Sequence, residues 1–189
     1  GGYLRLNLFQ DTVDNAIESQ STTIVGGPND GVSVNTFVPL DGSRVRGVEF
    51  IANQYGLFIP SLDVRFNVTY TKAEITENAS NPEWKGNVYP RMPKWRANLL
   101  ATYHLTDDWN LGVNLQHATR SYARIQNDDT IPRVYGAQDA YTRIGLRTNY
   151  QLSDNLRASL GIDNLRNEIA YVAHPWPGRT VYLSLAYRH

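Results

Sequence analysis

Residues 101–116 read ATYHLTDDWNLGVNLQ, and residues 148–163 read TNYQLSDNLRASLGID. Both carry Tyr-x-Leu-[Thr/Ser]-Asp-[Asp/Asn], followed by an apolar residue at every second place. Asp and Asn bond their own backbone in tight turns, and a period of two marks a strand with one apolar face. Each copy therefore reads as strand, short turn, strand. In the first, Trp95, Ala97, Leu99, Ala101, Tyr103 and Leu105 share a parity against Arg96, Asn98, Thr102 and His104, with Leu100 the exception. Beyond the turn, Trp109, Leu111, Val113 and Leu115 oppose Asn110, Gly112, Asn114 and Gln116. The second copy sets Ala140, Ile144, Leu146, Tyr150 and Leu152 against Arg143, Gly145, Arg147, Asn149 and Gln151, and then Leu156, Ala158, Leu160 and Ile162 against Arg157, Ser159, Gly161 and Asp163.

The same alternation runs outward in both directions. Leu4, Leu6 and Leu8 alternate with Arg5 and Asn7, and Leu62, Val64, Phe66, Val68 and Tyr70 with Asp63, Arg65, Asn67 and Thr69. At the far end Val181, Leu183, Leu185 and Tyr187 oppose Tyr182, Ser184, Ala186 and Arg188. Eight strands are predicted, at about 3–18, 34–55, 62–76, 93–105, 109–124, 139–152, 156–168 and 178–189. No window of a dozen residues keeps a helical period. Connections at 56–61, 106–108 and 153–155 are short; those at about 19–33, 77–92, 125–138 and 169–177 are long and polar or rich in Gly and Pro. Short alternating with long is the rhythm of an up-and-down meander with one trimmed and one elaborated end. The 47-residue gap between the copies is one full cycle of that meander.

Composition removes several function classes. Lys plus Arg and Asp plus Glu are 18 each, a balance that gives no support for a nucleic-acid reader, which needs a basic stripe. The absence of cysteine excludes disulfides, thiolate metal sites and a cysteine nucleophile. The four histidines (His104, His117, His174, His189) show no metalloprotease spacing, GVN at 112–114 is no nucleophile elbow, and no enzyme is expected. No stretch approaches the roughly 18 apolar residues of a membrane helix. The chain opens in alternation at GGYLRLNL without a signal peptide, which reads as a mature or truncated piece.

A sheet with one apolar face can turn it inward, as a soluble lipocalin-like binder does, or outward to lipid as a closed membrane barrel does. Lipid is favoured here. Tyr103, Trp109, Tyr150 and Tyr187 all lie on the apolar parity beside short turns, at the level of a membrane–water girdle. The opposite parity is crowded with Arg, Asn and Gln, as a wet or plugged lumen is, and the last residues stay in strand alternation with no polar tail.

Three blocks then resemble a known family. SRVRGVEFIANQYG (43–56) carries an Arg-x-x-Gly-Val-Glu strand, NVYPRMPKWRANLLATYHL (87–105) a Pro-x-x-Pro lead into a strand, and GIDNLRNEIAYVAHPWPGRTVYLSLAYRH (161–189) an Asp-Asn-Leu, Pro-Gly-Arg and closing strand. Together and in this order they resemble the C-terminal barrel of TonB-dependent outer-membrane receptors. The resemblance implies a barrel of about 22 strands around an N-terminal plug, which binds scarce chelates such as ferric siderophores or haem and admits them with energy relayed by TonB. Residues 1–189 would be the C-terminal segment of that barrel, with plug and TonB contacts supplied by a missing N-terminal part. The family usually ends in Phe or Trp, whereas this chain ends in His189; Val181, Leu183, Leu185 and Tyr187 still resemble the signal read by the barrel-assembly machinery. A self-contained eight-stranded barrel, serving as adhesin or structural anchor, is the alternative.

Ligand contacts are expected in the long loops, where Arg with Tyr or Trp suits an anionic, aromatic chelate. Candidates are Trp84, Tyr89 and Arg91; Arg120, Tyr122 and Arg124; Arg133 and Tyr135; and Tyr171, His174 and Trp176. His174 is also a conceivable axial haem ligand; a solvated loop histidine is the plainer reading. No cofactor and no resident metal are expected. Lumenal Arg5, Glu49, Asp63, Arg65, Arg96, Arg143, Arg147, Arg157 and Asp163 are expected to face the plug.

Overall fold

The alternation becomes one antiparallel sheet. The computed structural model describes residues 1–188, with side chains throughout except at 19–22; His189, with its question for assembly, lies outside the described residues. The main strands are β1 (Gly2–Thr23), β2 (Ser33–Gln54), β3 (Leu62–Glu77), β4 (Trp95–His104), β5 (Trp109–Ala118), β6 (Tyr141–Ser153) and β7 (Leu156–Asp163). A two-residue ladder, β8 (Tyr171–Val172) with β9 (His174–Pro175), precedes the last strand, β10 (Thr180–Tyr187). Pro82–Trp84 forms a single 3-10 turn. Each main strand pairs with its chain neighbours in the order β1 to β7 and then β10.

Register preserves parity across the sheet, so apolar rows are continuous. Phe66, Leu99, Leu115 and Ile144 face one another across β3 to β6, and Val113, Leu146, Ile162 and Val181 across β5 to β10. Nothing in the described chain covers these rows. Leu6 is 65% and Leu183 70% exposed, and Leu111 and Leu146 are also open. A lipocalin-like fold would pack these residues inside, so the face is built for hydrocarbon. The belt at the short-turn end is present: Trp109 sits opposite Tyr150 with rings edge to face at 6.2 Å, and Tyr103 and Tyr187 lie close by along their strands. A second belt, which the sequence reading did not identify, pairs Tyr70 with Trp95 at 4.9 Å near the long loops. Trp95 and Tyr103 stand eight residues apart on β4, about 27 Å along the strand and about 20 Å high at a tilt of roughly 40°. That height, with the rings beyond it, fits a hydrocarbon core.

The polar face is knitted by cross-strand hydrogen bonds. Asn7 donates to Glu49 at 2.8 Å, Asn98 to Asn67 at 2.9 Å and Asn149 to Asn110 at 2.8 Å. Two inward glycines lie beneath rings: a Cβ on Gly47 would meet the Phe9 ring at 2.5 Å, and one on Gly161 the Tyr182 ring at 2.2 Å. This is why the Arg-x-x-Gly-Val-Glu strand carries glycine at its fourth place.

The sheet is open. β1 pairs with β2 and β10 with β7, and these two margins do not meet. The self-contained eight-stranded barrel required that closure and is not what forms.

Several boundaries differ from the alternation. β1 reaches Thr23 and β2 begins at Ser33, so the first long loop shrinks to 24–32, with Gly26, Gly27 and Gly31 at positive φ. Conversely β5 stops at Ala118 and β7 at Asp163. After β7, Asn164 turns to φ +50° and its amide bonds the Glu168 and Pro177 carbonyls, folding 164–168 into a turn instead of strand.

Leu99→Arg places a cation at mid-sheet on the lipid face and is expected to lower unfolding free energy in lipid vesicles by about 2–4 kcal/mol. Asn98→Arg, one residue away on the other face, is expected to cost less than about 1 kcal/mol by the same denaturant titration.

Candidate functional site

All four long connections emerge at one end of the sheet, and the candidate residues lie there. Their roots are packed before any ligand surface begins. Leu40, Ile75, Trp84 and Ile125 form a buried cluster with Ala16, Val38 and Tyr89 against it. Trp84, only 7% exposed, is thus a packing residue of loop 78–94. Tyr89 donates its hydroxyl to the Glu18 carboxylate, tying the same loop to β1. Burial first, then this bond and the charge of Glu18, push the Tyr89 phenol up to about 12.

Loop 119–140 is organised by its acids. The Asp129 carboxylate accepts the Ala123 backbone N–H at 2.8 Å. Asp128 pairs with Arg124 at 3.3 Å, and Arg120 donates to the Asp129 carbonyl while lying 5.9 Å from the Tyr122 ring centre. Asp139 is 8% exposed and spans two loops, accepting the Arg133 N–H at 3.1 Å and the Tyr171 N–H at 2.9 Å. Gly136 donates to Ala173 and Ala173 to Ala137, so 133–139 and 171–176 form one unit. On that unit Tyr135 meets Tyr171 edge to face at 5.8 Å and His174 at 5.9 Å. Beside it, Trp176 packs on Tyr141 at 4.7 Å, with the Arg143 guanidinium 4.8 Å from its ring centre.

The candidates therefore separate. Tyr135, Tyr171 and His174 come together, and Trp176 joins Arg143, whose register opposite Gln116 is that of the lumenal face. Trp84 and Tyr89 serve packing, and Arg124 is held in an ion pair. Arg91 and Arg133, both exposed at positive φ, have no carboxylate within ion-pair distance among the described residues. Their backbones are fixed, however: the Arg91 N–H donates to the Tyr122 carbonyl at 2.6 Å. Missed by the alternation were Asp139, Asn164 and Glu168, whose carboxylates and amides bond backbone of their own and neighbouring loops, from 4 to 32 residues away. Asn164 within Asp-Asn-Leu was their only visible trace. Among the described residues no group of three His, Asp or Glu side chains could hold a metal ion.

On the lumenal side, Arg147 and Arg157 line a cavity of about 500 Å³ at the short-turn end together with Asn110, Asn149 and Ser159. Arg5, Arg65 and Arg96 also lack an ion-pair partner among the described residues, whereas Asp63 lies 3.1 Å from His104.

An open, lipid-facing meander with knitted loops at one end defines a segment of an outer-membrane barrel. The TonB dependent receptor-like β-barrel family matches residues 1–165, and the chain belongs to that family, whose members reside in the outer membrane of Gram-negative bacteria. A curated relative, the probable TonB-dependent siderophore receptor PiuA of Acinetobacter baumannii, is 23% identical over 91% of this chain and 23% of its own length. The crystal structure of that organism's siderophore receptor PiuA superposes with a TM-score of 0.72 at 20% identity, over 97% of this chain and 26% of the other. A variant of the ferric enterobactin receptor PfeA of Pseudomonas aeruginosa, solved with enterobactin, gives 0.68 at 21% identity over 99% and 29%. The ferric-catecholate import receptor Fiu of E. coli gives 0.68 at 22% identity over 97% and 25%. The chain thus spans about a quarter of the length of these relatives.

Two outcomes test the loop architecture. A phenol with a folded pKa raised above its unfolded value of about 10 contributes stability that is complete below pH 10 and lost as pH rises toward 12. Loop 78–94 is expected to loosen over that window in the wild type, and Tyr89→Phe to show no such step, followed by tyrosinate absorbance and amide exchange. Asp139→Ala strands the Arg133 and Tyr171 N–H groups at a cost of about 1–3 kcal/mol, and is expected to speed amide exchange in both loops and leave β4–β5 unchanged.

Proposed function

We propose that residues 1–189 are the C-terminal part of the barrel of a TonB-dependent receptor that binds a ferric siderophore at its outer loops and imports it through the lumen. The loop surface carries this reading. Asp129 and Asp139 are spent on backbone N–H groups and Asp128 on an ion pair. Among the described residues this leaves Arg133 without a carboxylate partner, two residues from Tyr135 and the rings it meets, and Arg91 likewise unpaired on loop 78–94. An anionic, aromatic iron chelate matches that surface by charge and by stacking. The siderophore names borne by the receptors of similar fold agree with it. The activity in this reading is transport.

The remaining partners follow from the same reading. An N-terminal plug would occupy the lumen, contact TonB from the periplasmic side, and meet Glu49, Arg65, Arg96, Arg147 and Arg157. These arginines have no carboxylate partner among the described residues, so acidic groups of a plug would complete them. The barrel-assembly machinery would insert the whole, reading the alternation of Val181 to Tyr187.

In the full-length receptor, the double variant Arg133→Ala/Tyr135→Ala is expected to weaken ferric siderophore binding at least tenfold by tryptophan quenching, with iron uptake falling in step. Unchanged affinity, with the barrel still folded, would overturn the loop assignment.

A further inference from the structure

Above the Tyr70–Trp95 belt, the lipid-facing side of the sheet turns from apolar to cationic. By register, Arg44, Arg46, Lys72 and Glu74 share the face of Val48 and Tyr70. Glu74 is the only carboxylate in this group, 2.6 Å from Lys72 and 4.0 Å from Arg46. Lys94 leans back so that its ammonium lies 5.7 Å from the Tyr70 ring centre. A cleft of about 340 Å³ opens here, with Tyr70, Val88 and Met92 as apolar walls, Lys72, Lys94 and Arg120 as its cations and Glu74 as its one carboxylate. Its volume lies in the range of about 300–1,000 Å³ typical of small-ligand sites.

Position gives the cleft its meaning. Strand alternation places its Tyr70, Lys72 and Glu74 wall on the outer side of the barrel, and none of Tyr135, Tyr171 and His174 lines it. Aromatic belts sit at headgroup level, so a cleft directly above one is where the polar head of a membrane lipid lies. Cations at that level attract anionic headgroups, and the apolar walls continue the hydrocarbon-facing surface below. A soluble ligand has no use for that continuity.

We propose that this cleft binds the phosphate-bearing headgroup of an anionic lipid of the outer leaflet, with Lys72 and Lys94 on the phosphate and Tyr70 and Met92 against the top of an acyl chain. The proposal rests on the orientation of the sheet in the membrane and is independent of chelate uptake.

The test uses the full-length receptor in nanodiscs of neutral lipid, titrated with an anionic phospholipid and read by native mass spectrometry. Lys72→Gln/Lys94→Gln is expected to weaken lipid retention about fivefold per cation, roughly 25-fold together. Lys85→Gln/Arg188→Gln, with the same loss of charge elsewhere, is expected to retain lipid as the wild type does. Equal retention by the two double variants overturns the proposal. So does competition by inorganic phosphate as effective as that of the lipid, since it would mean a free-anion site. Should the double variant fail to assemble, Lys94→Met, which keeps most of the stem, carries the same comparison.

Discussion

In hydrocarbon every backbone N–H and C=O must find its partner within the protein. For this chain that requirement leaves one solution, a meander in which every strand between the margins β1 and β10 is bonded on both sides. The constraint acts on backbone, but it fixes side chains too, because strands in register share parity. Once Leu99 faces lipid, so must Phe66 and Leu115 beside it, and Asn67, Asn98 and Gln116 must face the lumen. The two chemical faces of the sheet are a consequence of hydrogen-bond geometry, and composition follows from them.

That coupling explains what could be read before any coordinates. The faces, the number of strands, the alternation of short and long connections and the belt of Tyr103, Trp109, Tyr150 and Tyr187 all follow from a period of two. Boundaries at the long-loop end could not, because alternation stops being informative once neither face meets lipid. Residues 119–124 look strand-like, yet the strand stops at Ala118, with the Trp95 N–H turned to the Thr119 hydroxyl. β1 and β2, in contrast, run 22 residues each, about twice what a membrane needs, so their outer halves form a hairpin standing above it. Polar sequence at 19–23 hid that extension.

The loops obey a different logic. With no lipid to sort side chains, the organising interactions are carboxylates and amides that accept or donate to distant backbone. Asp139 holds two loops, Asn164 turns the chain after β7, and Glu168 accepts the Thr142 N–H at 3.1 Å. Such partners lie from 4 to 32 residues apart, at no fixed spacing, and leave no periodic trace. This is why residue types suited to a ligand were legible while their grouping was not. Trp84 illustrates the gap: as a loop tryptophan it looked like a ligand contact, yet it is a cornerstone of packing.

Every departure from regular pairing falls near a margin of the sheet. Asn15 and the Gly42/Ser43 shift lie beyond the Tyr70–Trp95 level, and the Gln151/Ser153 shift lies at a short turn. Between the belts the ladder is unbroken. Inserting or deleting one residue there would swap the environments of all side chains up to the next turn. Lineages of such barrels can therefore exchange nearly any residue for another of like polarity, but can change strand length only in pairs. Loops carry no such arithmetic, so chains that keep barely a fifth of their residues in common can retain the same wall.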